Sequence, residues 1–442
     1  MEPAQTPHDR APFFALMAAN TVAQVGHMMT AVAVPWLVLE TTGSAAQVGL
    51  VGAAIAIGAI VPALLGGPLV DRLGLRRTSV AADLICCVTV ASIPALHLLG
   101  VLEFWQLVVL VFILSSCNSQ GDTGRFALIP GLARRAAMSL ERSNATDRAI
   151  ARAGQLIGPL LAGVLIPVIG PANVLFVDAG TFAVSAMLVS FGVPSAVAAL
   201  SGSEQRSTMR NYRAALSEGL RFVIGNRLVL SIILLCLVGN FFDVPLLTVV
   251  LPVYAKEIFG SPQSLGLMLG SLAAGTLAGT ILFGAFGQKL PRRQLFLWGW
   301  LLVVLITYGA LSATVPLTAI VLAGVVGGLA AGPINPILET VLQENTPPQL
   351  MGRVFAAFLA FAQAGIPFGA AIAGFAIERA GLIPTIAAGA TVYVLVIVLM
   401  FLNPALRRMD ARVAAKEPLA AESARAQSSP QARRSATMKA GL

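Results

Sequence analysis

The residues of this chain that could do chemistry are few, and they lie in apolar surroundings. His27 sits in the run Thr21-Val-Ala-Gln-Val-Gly-His-Met-Met, and Asp243 in Leu237-Val-Gly-Asn-Phe-Phe-Asp-Val-Pro. A charge at mid-bilayer costs on the order of 2.5–3.5 kcal/mol on insertion scales, so a titratable group kept at that depth points to function. Either group could take up and release a proton, and an imidazole changes charge near neutral pH. For His27 a structural role, bonded to a helix carbonyl or to Gln24, stays open beside proton coupling. His27 stands eight residues before Pro35 and Asp243 nine before Pro252, which puts both at similar depth and lets both face one central cavity.

Other chemistries find no residues to carry them. The 4 cysteines, Cys86, Cys87, Cys117 and Cys236, all fall inside apolar runs without histidine partners at ligand spacing, so neither a metal site nor disulfides are expected. No Gly-x-x-x-x-Gly-Lys-Ser/Thr loop is present to cradle a nucleotide, and no cofactor is expected. An embedded enzyme would need catalytic acids, histidines or nucleophiles gathered at one membrane face, and the sequence gathers none.

The elements that must hold His27 and Asp243 are membrane helices. With 57% hydrophobic and 11% charged residues, the chain is far too apolar for a water-soluble globule. A span needs about 20 apolar residues. Twelve such runs are predicted, near 12–39, 44–70, 78–99, 102–124, 143–168, 172–192, 227–255, 264–287, 294–312, 316–338, 354–377 and 383–403. In hydrocarbon the backbone must satisfy its own hydrogen bonds, and the runs lack the alternation of barrel strands, so helices follow. The expected division is a tail at 1–11, a six-helix bundle at 12–192, a linking segment at 193–226 with an amphipathic helix from Arg210 to Phe222, a second bundle at 227–403, and a basic disordered tail at 404–442.

The net charge of +9 raises the question of nucleic acid. The placement of the charges answers it: of the 29 Lys and Arg residues, only Lys256 and Arg379 fall in the loops on one side. That asymmetry sets topology, with both termini cytoplasmic, and it does not resemble a basic-aromatic surface for nucleic acid. The Met1-Glu-Pro start is followed by an apolar run too long for a cleaved signal.

The two bundles are copies. Gly67 and Gly284, Asp71 and Gln288, Pro35 and Pro252, and Pro130 and Pro347 are each 217 positions apart. An internal repeat of this size in an apolar chain is how many secondary transporters are built, with the binding site between the repeats.

Six pieces carry a family resemblance: Gly67-Pro-Leu-Val-Asp-Arg-Leu-Gly-Leu-Arg-Arg77 and the shorter Pro35-Trp-Leu-Val-Leu39, Thr123-Gly-Arg-Phe-Ala-Leu-Ile-Pro130, Gly158-Pro-Leu-Leu-Ala-Gly163, Glu218-Gly-Leu-Arg-Phe222 and Gly352-Arg-Val354. Together they resemble the major facilitator superfamily, in the drug:proton antiporter branch that contains bacterial macrolide-efflux, tetracycline-efflux and siderophore-export proteins. The resemblance implies an all-α membrane protein of twelve transmembrane helices in two pseudo-symmetric six-helix bundles. It implies export of a small amphiphilic compound against inward protons in a bacterial cytoplasmic membrane, by a monomer with lipid around it. A siderophore, a metabolite or a lysolipid is an alternative cargo.

The resemblance also assigns residues. Gly67, Asp71, Arg72, Gly74, Arg76 and Arg77 match the gating loop between the second and third spans, although Leu75 replaces its usual first basic residue, leaving Arg76 or Arg72 to substitute. Gly154, Gly158 and Pro159 match the antiporter motif of the fifth span, with Gly365, Pro367 and Gly369 at the corresponding place in the eleventh. Relatives carry an acid where Gly26 is followed here by His27, which implies that the histidine replaces a carboxylate. Asp83 and Asp178 resemble recurrent acids of the third and sixth spans and are expected to anchor helix ends. Asp122 and Arg125, at i, i+3, are expected to pair, and Arg148 and Arg152 to snorkel or line a gate. Polar and aromatic candidates for the cavity wall are Asn20, Gln24, Trp36, Asn240, Phe241, Asn335 and Gln363.

Overall fold

The computed structural model describes residues 9–65, 74–194, 209–287 and 290–410. Gly67, Asp71, Arg72, Gln288, the polar piece 201–208 and the tail beyond Asp410 lie outside the described residues. Among the described residues, twelve helices are long and apolar enough to cross a membrane. In chain order the elements are α1 (Ala11–Thr42), α2 (Ala45–Leu65), α3 (Leu75–Leu98), α4 (Phe104–Arg135), α5 (Leu140–Ile169), α6 (Pro171–Gly192) and the amphipathic α7 (Met209–Gly225). They continue as α8 (Arg227–Phe259), α9 (Pro262–Phe286), α10 (Arg292–Ser312), α11 (Leu317–Asn345), α12 (Pro348–Ala380) and α13 (Leu382–Leu402).

The helices overrun their apolar runs on the face that carries the termini. Helix α4 continues to Arg135 and α11 to Asn345, past the expected ends at 124 and 338, and α12 starts six residues before 354. At about 1.5 Å per residue the 32 residues of α4 reach well beyond a hydrocarbon layer of about 30 Å. Hydropathy cannot see such an extension, because its polar residues bond within the protein. On the opposite, far face the turns are tight. Gly43, at φ 66, closes α1 with its N–H on the Leu39 carbonyl, a left-handed conformation that glycine adopts without strain.

The tail requires a correction. Residues 404–410, expected to be disordered, form a turn and a short helical end that buries Leu406 and Met409. The Asp410 carboxylate accepts the Arg293 backbone N–H at 3.1 Å, which ties this segment to the start of α10. Helix α7 is also docked: Val223 is buried, and Glu218 pairs with Arg353 at the start of α12.

Within the first half α1 packs on α5 and α6, and α3 on α4 and α6. Two seams join the halves, α2 with α12 and α5 with α9. Glycines make both. A Cβ on Gly49 would lie 2.5 Å from the Ala370 carbonyl, and one on Gly266 would lie 2.6 Å from the Pro159 carbonyl. Gly49 and Gly266 are themselves 217 residues apart, so the repeat read in the sequence relates one seam to the other. Both seams lie toward the far face. There Glu378 of α12 accepts hydrogen bonds from the Ser44 hydroxyl at 2.5 Å and the Ala46 N–H at 2.9 Å, capping α2 across the junction.

Candidate functional site

Between the halves lies a cavity of about 440 Å³. Helix α1 contributes Met28 and Ala31, α5 contributes Arg152, Gln155 and Pro159, and α8 to α11 close the other side. Its one carboxylate is Asp243. The Tyr393 hydroxyl of α13 donates to Asp243 Oδ2 at 3.0 Å, while Oδ1 has no hydrogen-bond partner. Phe242, the preceding residue, stacks on the Tyr393 ring with centroids 4.9 Å apart, holding the phenol against the acid. Across the cavity wall Thr307 also leaves its hydroxyl unpaired. Both Asp243 and Thr307 lie at π-helical turns, Leu246–Val250 following Asp243 on α8 and Val304–Tyr308 containing Thr307 on α10. Such turns recur at functional sites because they free backbone and side-chain groups from the regular helical pattern.

His27 lines a smaller adjoining cavity of about 80 Å³ that shares Ala31 and Thr248 with the central one. Its Nδ1 is buried without a partner. In electrostatic range stands Asp178 of α6. Asp178 does not anchor a helix end as expected: it is fully buried against α1, accepting from Thr30 Oγ1 at 2.5 Å and from Thr181 Oγ1 at 2.8 Å. What admits it is Gly26, where a Cβ would collide with the Asp178 carboxylate and Thr181.

A core of two six-helix halves, glycine seams and a lone carboxylate in an apolar central cavity describes a transporter architecture, and comparison with known proteins assigns it. Residues 3–432 match the family described as transmembrane secretion effector. The chain belongs to the transmembrane secretion effector family of the major facilitator superfamily. The multidrug efflux pump Tap of Mycolicibacterium fortuitum is 31% identical over 411 residues, covering 91% of this chain and 98% of that protein. Macrolide efflux protein A of Streptococcus pyogenes is 21% identical over 378 residues, covering 84% and 90%. Among solved structures, a bacterial homolog of the human lysosomal transporter Spinster, inward-facing and unoccupied, aligns with a TM-score of 0.67 at 15% identity over 92% of this chain and 96% of its own. A D-xylose-proton symporter aligns with a TM-score of 0.68 at 16% identity over 88% and 96%.

The other expected residues fall into place unevenly. Gly154 packs on Gln24 and Gly158 on Met28, so the motif of α5 serves contact with α1, while Pro159 lines the cavity. Arg152 lines the cavity as well; Arg148 lies in a separate polar pocket of about 220 Å³ with Asn20, Gln24, Asp122, Arg125 and Asp147. Asn20 there donates to Asp147 at 2.9 Å. Gly74, at φ 84, starts α3. The Arg76 guanidinium donates to the Ser190 carbonyl at the end of α6. Arg293, 217 residues later, donates to the Phe401 carbonyl at the end of α13 at 2.6 Å, so both copies use this arginine to hold the last helix of their half. Arg77 is exposed.

Several cavity candidates lie elsewhere. Trp36 is 1% exposed; its indole donates to Glu40 at 2.6 Å, and the Lys256 Nζ sits 5.0 Å from its ring, joining α1 to α8 near the far face. Asn240 is spent on the Ala362 carbonyl at 2.7 Å in the packing of α8 on α12. Phe241 lines a groove on the membrane side, Asn335 is exposed, and Gln363 is half-buried outside the cavity. The reason is common to all: a span's rotation decides which face meets the cavity, and an all-apolar helix carries no periodic signal for it. The expected Asp122–Arg125 pair is present at 2.5 Å, with a larger network behind it. Arg125 also bonds Asp83 at 2.5 Å, and Ser185 donates to Asp83 Oδ2 at 2.7 Å, joining α3, α4 and α6. Tyr393, Thr307 and Tyr308 were missed, since hydroxyl aromatics and threonines within spans carry no motif.

Proposed function

We propose that this protein is a secondary active exporter of small amphiphilic compounds, drugs and antibiotics among them, driven by proton antiport through alternating access. Asp243 carries the reading: an intramembrane carboxylate, bonded on one oxygen and unpaired on the other, at the wall of a cavity that both halves build. The relatives named as efflux pumps support the direction of transport and the class of cargo.

In this mechanism Asp243 accepts a proton when the cavity faces the outside and releases it inward, and the cargo occupies the same cavity in the opposite half-cycle. His27, one shared wall away, relays or senses that proton. The bundles 12–192 and 227–403 rock about the two glycine seams. The basic face that bears the termini is assigned to the cytoplasm of a bacterial inner membrane, since Lys256 and Arg379 are the only basic residues on the far side. Under that orientation the far-face seams and the Glu378 cap close the outside, which makes this conformation inward-facing. Each inward proton contributes roughly 2.3 kcal/mol per 100 mV, enough to hold an outward gradient of a neutral compound. The bundles work as a monomer, in lipid, without a cofactor.

The test uses everted vesicles acidified by respiration. Adding a macrolide dissipates part of the proton gradient in the native protein, and the double variant His27→Ala, Asp243→Asn gives no response. Undiminished dissipation in that variant removes these two residues from the mechanism.

A further inference from the structure

Helix α5 presents Arg152, Gln155 and Pro159 to the central cavity, at the i, i+3 and i+7 spacing that puts three residues on one helix face. Among the described residues lining the cavity, Arg152 is the one base, as Asp243 on α8 is the one acid. Arg152 stands 17 residues before Ile169 and Asp243 16 before Phe259, the far-face ends of their helices, so the two lie at similar depth on opposite walls. They are not paired with each other. The Arg152 guanidinium donates to Gln155 Oε1 at 3.2 Å, and among the described residues it forms no ion pair.

The fold itself does not call for this charge. Gly154, Gly158 and Gly163 of α5 lie 211 positions before Gly365, Gly369 and Gly374 of α12, and Gly163 meets Gly266 at one seam as Gly374 meets Gly49 at the other. The same offset sets Arg152 against Gln363, which is uncharged and lies outside the cavity. An ionisable group kept at membrane depth without a structural partner points to a ligand. Both side chains are accessible to one: Arg152 is half-buried and Gln155 exposed. With its oxygen engaged by Arg152, the Gln155 carboxamide keeps its NH2 for a second acceptor.

A guanidinium beside an amide N–H suits a carboxylate or another anionic oxygen. Cargo that displaces water from the cavity without supplying such an oxygen leaves Arg152 unpaired, at a cost. The direction of exchange narrows the cargo further. A compound exported against a proton binds better when Asp243 is ionised than when it is protonated. A cargo that carries an anion alone does the reverse, because protonation makes the cavity more positive by one charge. A cation alone follows the rule and leaves Arg152 unpaired. A cargo with both charges, its cation toward the α8 wall and its anion on Arg152, meets both conditions.

We propose that Arg152, oriented by Gln155, is a specificity-determining residue of the central cavity that selects zwitterionic amphiphiles. It rests on the export reading, of which it names the favoured class of cargo.

Rhodamine B carries a xanthylium cation and a free carboxylate; its ethyl ester keeps the cation and loses the anion. The full chain in phosphatidylcholine nanodiscs is titrated with each dye by fluorescence polarisation, with uptake by empty nanodiscs subtracted. The native protein binds the acid about tenfold more tightly than the ester, which is roughly 1.4 kcal/mol. Arg152→Gln removes that preference by weakening the acid alone, and Arg152→Lys retains part of it. Equal binding of the two dyes by the native protein, or a preference that survives Arg152→Gln, overturns the proposal. Equal loss of both dyes in Arg152→Gln overturns it as well, because it marks a structural role. Dye binding requires no proton gradient, so failure of coupled export with the dye preference intact contradicts the export mechanism and leaves the role of Arg152 standing.

Discussion

The two halves each hold a carboxylate near the same point of the repeat, and they supply it from opposite helices. In the first half the acid is Asp178, reaching from α6 into the space that Gly26 leaves on α1. In the second, Asp243 itself occupies the position 217 residues after Gly26, and α13 answers with the Tyr393 hydroxyl. Asp178 accepts on both oxygens from threonines and is fully buried; Asp243 accepts on one, leaves the other unpaired, and lines the cavity. The same contrast runs through the packing. Where the first half has the buried Asp83–Arg125 pair, the positions 217 residues later are Trp300 and Leu342, and among the described residues all three π-helical turns lie in the second half. A satisfied polar network fixes helices, and an unsatisfied one is available to a ligand or a proton. On the proposed mechanism the first half is mainly scaffold and the second holds the acid that exchanges the proton.

That division makes Asp243 and Asp178 opposite in effect. Asp243→Asn abolishes proton-coupled transport with the fold intact. Asp178→Asn leaves transport coupled and lowers stability by roughly 1–3 kcal/mol through the misfit of one buried acceptor, measured as a shift in thermal unfolding in detergent. Finding the two effects exchanged breaks the comparison.

Giving the first half the residue of the second at its ion pair sharpens it. Arg125→Leu leaves Asp83 buried and uncompensated, a loss of roughly 3–5 kcal/mol. Adding Asp83→Leu recovers most of it, because replacing both partners by apolar residues is close to neutral. Gly26→Ala tests the same contact on a smaller scale: its methyl meets Thr181 and Asp178, and overpacking of this kind costs roughly 1–3 kcal/mol. Asp243→Ala at the equivalent position opens space and leaves the melting temperature nearly unchanged. The smallest effect on transport belongs to the exposed far-face cap, where Glu378→Gln weakens two solvent-screened hydrogen bonds and changes transport rate by less than about fivefold.

Much of this was legible in the residues. Spans, repeat and family followed from the cost of unpaired backbone in lipid and from landmarks 217 apart, and Asp243 stood out because an acid at that depth is expensive. The cavity wall was not legible. Trp36 and Asn240 are polar-tipped residues that the fold consumes in its own contacts, while Thr307 and Tyr308 lie on a π-helical turn of α10, which depends on packing. Asp178 was misread as a helix-end anchor because its setting depends on the absent side chain of Gly26, a partner in a different helix.

The most direct measurement is proton movement in liposomes holding the purified protein, with a cargo gradient imposed and an internal pH dye as readout. Native protein and Asp178→Asn move protons opposite to the cargo, and Asp243→Asn moves none. Proton movement that persists in Asp243→Asn and disappears in Asp178→Asn contradicts the account.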